Sequence, residues 1–391
     1  MNMFKIPEKI YFGENALDAL KEVQGKKAII VTGGSSMKRF GFIEQAQRLL
    51  SESGIQSIVF DGVEPNPSVQ TVIKGADMMT KFNPDWIIAI GGGSALDAAK
   101  IMWCFYEHPE LTFDQIVPVG SMPALRNKAK LIAIPSTSGT ASEITAFSVI
   151  TDHETHMKYP IVSPHIVPDI AIIDPALPAK MPAYITANTG MDVMTHALEA
   201  FVSIAANDYS DPLAMRAIKL VFNNIENAFN KGADMVAREN MHNASTLAGM
   251  AFSNVSLGLA HSLAHKIGGE FSITHGLANA ILLPHIVKYN KQFTNKYQEI
   301  EQYMGFDCLE DELRKLNEKL GIPLTLKAVT EVDIKEDDYM NVLDRMSQHA
   351  FEDPCTLTNP GTPSVEDVKE IYLNAYFQET LIPQATYLHA V

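Results

Sequence analysis

Between residues 26 and 137, short apolar runs alternate with segments whose apolar positions recur every three or four residues. KKAIIVTGG, QSIVFDGV, PDWIIAIGGG and KLIAIPST read as strands; FIEQAQRLLSESG, PSVQTVIKGADMMTKF and SALDAAKIMWCFYEH read as helices. That alternation predicts a parallel sheet covered by helices. The next stretch, FSVITDHETHMKYPIVSPHIVPDIAIID, reads as extended segments and turns punctuated by Pro160, Pro164 and Pro168. From about Met181 the β-branched alternation gives way to long helical patterns, among them DPLAMRAIKLVFNNIENAFN and VARENMHNASTLAGMAFSNV. The expected architecture is an α/β N-terminal domain with a parallel sheet over residues 1–180, followed by an all-α domain over 181–391. No internal repeat, low-complexity tract or long linker interrupts the chain, so a cleft between two packed domains is the expected place for a site.

Composition narrows the function. A chain of 391 residues suits two domains of ordinary size, and 46% hydrophobic with 20% charged residues is the balance of a soluble globular protein. A net charge of −15 repels nucleic acid and anionic membranes, which leaves a small molecule as the expected partner. Cys104, Cys308 and Cys355 are odd in number and widely spaced, which fits a reduced chain in which they serve as small buried hydrophobes. The N-terminal MNMFKIPEKIYFG lacks a signal-peptide core, and no apolar run approaches the roughly 20 residues of a membrane span. A cytoplasmic location is expected.

Five polar residues stand out against this apolar background. In TGMDVMTHALEA a spacing of four puts Asp192 and His196 on one helix face. In GLAHSLAHKIGGEFSITHGLANAILLPH, His261 and His265 repeat that spacing and His275 follows a short turn. A single histidine on an apolar helix is usually a satisfied core residue. Here both segments are rich in Ala, Leu, Met and Gly, so their polar groups need partners that a shared metal would provide. Asp192, His196 and two of the three later histidines would make a mixed oxygen and nitrogen site suited to Zn²⁺ or Fe²⁺.

Three turns carry candidate anion chemistry. Gly91, Gly92, Gly93 and Ser94 join a strand directly to a helix, where glycines allow close approach of a phosphate and the helix N-terminus offers N–H donors; an ordinary tight turn is the alternative. PSTSGTASE follows the next strand in the same manner, and its Ser136, Thr137, Ser138 and Thr140 could donate to phosphate or ribose oxygens or cap a helix. Gly33, Gly34, Ser35 and Ser36 end the first strand of the alternating series and precede Lys38 and Arg39. With no carboxylate to grip a ribose 2′-hydroxyl, and with hydroxyls and two cations instead, this turn suits a 2′-phosphate and favours NADP(H) over NAD(H); a solvated basic turn is the competing view.

Taken together, GGGSALDAAK, PSTSGTASEITAFSVITD, GMDVMTHALEA and AHSLAHKIGGEFSITHGLANAILLPH strongly resemble the iron-containing, or group III, alcohol dehydrogenases, in particular butanol dehydrogenase-like members. The resemblance runs nearly end to end. It implies a dinucleotide-binding domain over 1–180, a helical metal-binding and catalytic domain over 181–391, and an active cleft between them. By matching motifs, the metal ligands are Asp192, His196, His261 and His275, with Fe²⁺ expected and Zn²⁺ the other candidate. His265 then stands beside the metal as the catalytic proton-relay residue. The pyrophosphate is expected on Gly92, Gly93 and Ser94, with Thr137, Thr140, Thr145 and Lys158 near the rest of the cofactor and Gly33, Gly34, Ser36 and Lys38 toward the 2′-phosphate. Phe147 and Phe252 are candidates for apolar lining or for the core. Two departures stand out: Gly33 lies where NAD-selective members tend to carry Asp, and Asn359, Pro360 and Gly361 replace an Asn-Pro-Arg of many relatives. The implied reaction is reversible NAD(P)H-linked reduction of a short-chain aldehyde to a primary alcohol by a homodimer or higher homo-oligomer. A lyase of the dehydroquinate synthase type and a metallohydrolase are the alternatives.

Overall fold

The apolar runs become strands of one parallel sheet, described by a computed structural model over residues 3–152 and 157–378. In chain order the elements are β1 (Lys9–Phe12), β2 (Lys27–Gly33), α1 (Ser36–Arg39), α2 (Phe42–Glu52), β3 (Gln56–Val63), α3 (Val69–Phe82), β4 (Trp86–Gly91), α4 (Gly93–Glu107), α5 (Phe113–Ile116), β5 (Lys130–Pro135), β6 (Phe147–Asp152), β7 (Met157–Val162) and β8 (Ile170–Ile173). Six strands pair in the order β1-β8-β5-β4-β2-β3, all parallel, while β6 and β7 form a separate antiparallel pair. The predicted strands and helices all form. β1 joins them at a sheet edge without having been expected, and the extended reading of the 147–174 stretch holds except over 153–156, which lie outside the described residues.

Period-two alternation explains why these strands read as unbroken apolar runs. Ile29, Val31, Ile87, Ala89, Leu131 and Ala133 face one layer, packed with Val72, Met79, Ile101 and Met102 of α3 and α4. Ala28, Ile30, Ile88, Ile90, Ile132 and Ile134 face the other, packed with Ile43, Ala46, Leu49 and Leu50 of α2. Burying each large aliphatic side chain contributes about 1.5–3 kcal/mol, so both faces must be apolar.

The strand order also locates a ligand crevice. From β2 the chain steps outward to β3 and then returns to β4 on the other side of β2, so the connections leaving β2 and β4 diverge to opposite sides. Ligands of open α/β sheets bind at such a switch point, beyond the carboxyl ends of the strands. The turns after Gly33 and Gly91 are the ones that lie there.

The remainder is helical: α6 (Ala183–Val202), α7 (Ser210–Asn230), α8 (Met235–Val255), α9 (Leu259–Phe271), α10 (His275–Asn290), α11 (Lys296–Met304), α12 (Leu309–Lys319), α13 (Glu336–Phe351) and α14 (Val365–Phe377). By their internal contacts, Met1–Ala197 with Asp208–Asn254 form one unit and Leu198–Asn207 with Val255–Val391 form a second. In the second unit α10 is buried on nearly every side although it contains Pro284. That proline cannot donate to the Ala280 carbonyl, and the buried Asn317 amide donates to it instead at 2.7 Å. Among the described residues no helix is long and apolar enough to cross a membrane.

Candidate active site

In the first unit, the glycine turn and the hydroxyl turn stand side by side. Gly91 and Pro135 are register partners at the ends of β4 and β5, and Ser136 N–H donates to the Gly91 carbonyl at 2.8 Å. Gly92 caps α4 in an extended conformation with no side-chain cap; the Ala95 N–H turns back to the Gly92 carbonyl at 3.0 Å, and the Gly93 and Ser94 N–H groups at the helix start are the ones placed to meet another acceptor. A Cβ on Gly93 would lie 2.8 Å from Thr140 Cγ2, and one on Gly92 would lie 3.5 Å from Thr137 Cγ2, so the glycine at 93 is required by the approach of the second turn. Thr140 is exposed and Thr137 half-buried, whereas Ser136 and Ser138 point inward. The structure thus brings Gly92, Gly93, Ser94, Thr137 and Thr140 together. It corrects the capping alternative, because residues 136–146 enter β6 through turns and start no helix.

Thr145 and Lys158 differ from this group. Thr145 is buried, and the Lys100 ammonium donates to its carbonyl at 2.9 Å, to its Oγ1 at 3.3 Å and to the Phe147 carbonyl at 2.7 Å. Burial pushes the Lys100 pKa down to about 8 and that of neighbouring Glu143 up to about 7. Lys158 lies exposed on β7, opposite Thr151.

The turn after β2 has a steric cause that its sequence conceals. A Cβ on Gly33 would lie 2.3 Å from the Val63 carbonyl oxygen, where the β2–β3 register slips between Val31 and Gly33. Any side chain at Gly33, an acidic one included, would therefore require the β2–β3 edge to shift. Gly34 adopts φ +61° with open space around it, and Ser36, Lys38 and Arg39 follow in α1, the two cations exposed.

Still in the first unit, α6 presents Asp192 and His196, both buried, with Oδ1 and Nε2 4.0 Å apart. The His196 ring stacks on Phe252 of α8 at 4.3 Å and 18°, and Phe252 lies 6.1 Å from Phe147. Phe252 is thus a buried packing partner that fixes the His196 ring plane.

The second unit holds the three later histidines. α9 ends at Ser272 in a left-handed conformation, and α10 starts three residues later with His275 itself. This tight connection puts His275 5.2 Å from His261 and 5.4 Å from His265, ring centre to ring centre. Asn279 Nδ2 lies 3.4 Å from His261 Nε2 and 3.2 Å from His275 Nε2. Nδ1 of His261 is 2.5 Å from Glu199 Oε2, with both side chains almost fully buried. Glu199 Oε1 also accepts the backbone N–H of Ala260 at 2.6 Å and of His261 at 3.3 Å, supplying the cap that Gly258 cannot give α9. A carboxylate accepts only, so Nδ1 of His261 carries the proton and Nε2 presents its lone pair.

His265 is 40% exposed, and its Nδ1 lies 3.3 Å from Asp353 Oδ2, which also accepts from Lys266 at 2.7 Å. Burial raises the Asp353 pKa, but the hydrogen bonds and charges of His265 and Lys266 outweigh it and hold the carboxyl well below its usual range. His265, Asp353 and Cys355 place N, O and S atoms within 4.8 Å of one another, yet the Lys266 ammonium already compensates that carboxylate. The cysteines are free, Cys104 buried and Cys308 and Cys355 half-buried, so only the first meets the expectation of full burial.

Asn359 joins the same framework. Its amide exchanges two 2.8 Å hydrogen bonds with Asn290, and its Oδ1 accepts the Leu259 N–H at 3.4 Å at the start of α9. At Gly361 a Cβ would lie 2.3 Å from the Phe293 ring, so that ring occupies the space an arginine at 361 would need.

Sequence reasoning missed Glu199, Asn279 and Asp353. A signal for Glu199 was present, since 192, 196 and 199 follow the i, i+4, i+7 spacing of one helix face. Asp353 lies 88 residues from His265 and gives no such signal.

Comparison with known proteins gives the family. The family described as "Iron-containing alcohol dehydrogenase" matches residues 7–175, and "Fe-containing alcohol dehydrogenase family, C-terminal" matches residues 186–376. The chain is 48% identical over 387 residues to an NADPH-dependent butanol dehydrogenase of Clostridium saccharobutylicum, covering 96% of this chain and 98% of that protein. It is 37% identical to an alcohol dehydrogenase of Thermococcus barophilus, covering 96% of this chain and 100% of the relative. The solved structure of an iron-containing alcohol dehydrogenase from Thermococcus thioreducens superimposes with a TM-score of 0.89 at 36% identity, covering 96% of this chain and 99% of that one. This chain belongs to the iron-containing alcohol dehydrogenase family.

Proposed function

We propose that the chain reduces short-chain aldehydes to primary alcohols with NADPH as the preferred donor, using one divalent cation held by Asp192, His196, His261 and His275. The reaction class, reversible NAD(P)H-linked aldehyde reduction, and the need for a divalent metal and a nicotinamide cofactor follow from the family. Fe²⁺ is the proposed metal, with Zn²⁺ as the other candidate. We further propose a cytoplasmic homodimer or a multiple of one.

The observation that carries the reading is the bond between Glu199 and His261. A buried imidazole whose Nδ1–H is committed to a carboxylate offers its Nε2 to a cation, and that carboxylate makes the ring more basic. The donor set fits the group: one carboxylate oxygen and three imidazole nitrogens suit Fe²⁺ or Zn²⁺. When bound, the cation would supply Lewis-acid polarisation of the substrate oxygen and the nicotinamide would supply the hydride.

The chain's own groups do the rest. N–H donors at Gly92, Gly93 and Ser94 would take the pyrophosphate, and the hydroxyls of Thr137 and Thr140 beside them would bind neighbouring oxygens. Thr145, tied to Lys100, would shape this turn, and Lys158 would approach the cofactor from β7. Ser36 and Lys38, carried on the Gly33–Gly34 turn, would receive the 2′-phosphate. The name of the Clostridium relative also supports NADPH. His265, held through Nδ1 by Asp353 and partly exposed, would pass the substrate proton to solvent.

The direct test follows nicotinamide absorbance while metal-reconstituted protein is incubated with aldehydes from two to six carbons and either NADPH or NADH. Metal-dependent oxidation, faster with NADPH, is expected. Absence of nicotinamide turnover with every aldehyde would contradict the reading. The relatives do not favour the lyase or the hydrolase.

A further inference from the structure

One face of α8 holds the hydroxyl turn along its whole length. His242, Ser245, Thr246, Gly249 and Ser253 follow the i, i+3, i+4, i+7, i+11 spacing of a single helix stripe. His242 Nδ1 lies 3.0 Å from Ser138 Oγ, Ser245 Oγ donates to the Gly139 carbonyl at 3.3 Å, and Thr246 Oγ1 donates to Glu143 Oε1 at 3.3 Å. Ser253 Oγ accepts the Ala146 N–H at 3.0 Å. Between these bonds the turn approaches α8 so closely that a Cβ on Gly249 would lie 2.4 Å from Ala141 Cβ. Ala141 itself sits at φ +52°, a left-handed conformation that an alanine keeps only where its surroundings impose it. The turn is therefore held in a strained shape by the helix beside it.

We propose that His242 is a positioning residue for cofactor binding, fixing the turn through Ser138 so that Thr137 and Thr140 stand beside Gly92 and Gly93. The inference rests on the reading that this turn binds the dinucleotide, and it adds a residue outside every motif that suggested that reading. His242 is almost fully buried, and its Nε2 has no partner among the described residues. An unpartnered acceptor is tolerated better than an unpartnered N–H, so the proton belongs on Nδ1, which donates to Ser138 Oγ. Burial keeps the ring neutral, its pKa pushed down to about 3, so the bond persists across the working range. The serine hydroxyl hydrogen then remains to bond within the turn.

The test titrates NADPH by fluorescence into metal-loaded Ser138→Ala, His242→Ala and His242→Asn proteins, with kcat, KM and Tm measured alongside. Ser138→Ala and His242→Ala should each raise the NADPH Kd about tenfold, the effect of one buried hydrogen bond left unmade. The double variant should bind about as weakly as either single one, because both remove the same bond. His242→Asn, whose amide reaches the Nδ1 position, should recover most of the affinity, and kcat at saturating NADPH should change far less than KM. A lowered Tm with unchanged Kd in the single variants would reduce the stripe to a structural role and overturn the proposal; additive effects would overturn the shared bond. Should His242→Ala fail to fold, Ser138→Ala carries the same test. Thr140→Val separates the two levels. If it leaves NADPH affinity intact, the turn does not hold the cofactor and the underlying reading falls with the inference; if it weakens binding while the Ser138 and His242 variants do not, only the inference falls.

Discussion

Replacing Glu199 by Gln changes few atoms and reverses a hydrogen bond. Glu199 now accepts from His261 Nδ1 at 2.5 Å while its other oxygen accepts the Ala260 and His261 backbone N–H groups. A glutamine has one oxygen, and the two N–H groups at the start of α9 would claim it. Its NH₂ group would then face Nδ1 and require a lone pair there, which moves the imidazole proton to Nε2. A protonated Nε2 cannot ligate. Loss of a carboxylate behind a metal-bound histidine weakens metal affinity typically 10–100-fold, or about 1.4–2.7 kcal/mol. The protein should otherwise fold, since the helix cap persists and volume is conserved. Metal affinity measured by chelator competition, with Tm of the apo and loaded forms, checks this: Glu199→Gln should lose affinity by that factor while apo Tm falls only slightly. Unchanged metal affinity would refute the claim that Glu199 sets the tautomer of His261.

Three further outcomes are expected. His265→Ala should keep its metal and lose roughly 10²–10⁴-fold in kcat, the usual contribution of a proton-transfer residue; metal analysis showing loss of the ion would mean that His265 is a ligand. Lys38→Glu should raise the KM for NADPH about tenfold and that for NADH much less, so an equal change with both cofactors would remove Lys38 from 2′-phosphate recognition. His242 and His285 are held neutral by burial, with pKa values near 3 against an ordinary 6.5. The unfolded chain binds their protons first, so stability is complete above pH 6.5 and falls as pH drops toward 3, by up to about 1.4 kcal/mol per pH unit for each ring. Urea unfolding at pH 7 and 4.5 should show His285→Gln losing less stability than the parent over that interval, by roughly 2–3 kcal/mol, and an identical loss would contradict the assignment.

The sheet was legible because strands buried on both faces must be apolar throughout, and here short β-branched runs of that kind alternate with helical patterns. β1 escaped notice because four residues at a half-exposed sheet edge carry neither alternation nor a full apolar run. The pairs Asp192 with His196 and His261 with His265 were legible through helix spacing, a local property. What sequence reasoning missed depends on contacts between distant segments. Glu199 reads as an ordinary charged residue near a helix end until α9 is seen to start against it, and Asp353 meets His265 only in the folded chain. Gly33 was read from the turn alone, and the Val63 carbonyl 2.3 Å from its Cβ position adds a packing constraint invisible there. The hydroxyl turn suggested either an anion site or a helix cap by composition, and only the path of the chain into β6 decided against the cap.

An anomalous difference map from crystals of the Fe²⁺-reconstituted enzyme, recorded at the iron edge, bears most directly on the central claim. The account predicts one peak per chain with one oxygen of Asp192 and one nitrogen each of His196, His261 and His275 within about 2.0–2.2 Å of it, and with His265 not coordinated. A peak that lacks any one of these four residues, or that takes His265 as a ligand, would contradict it.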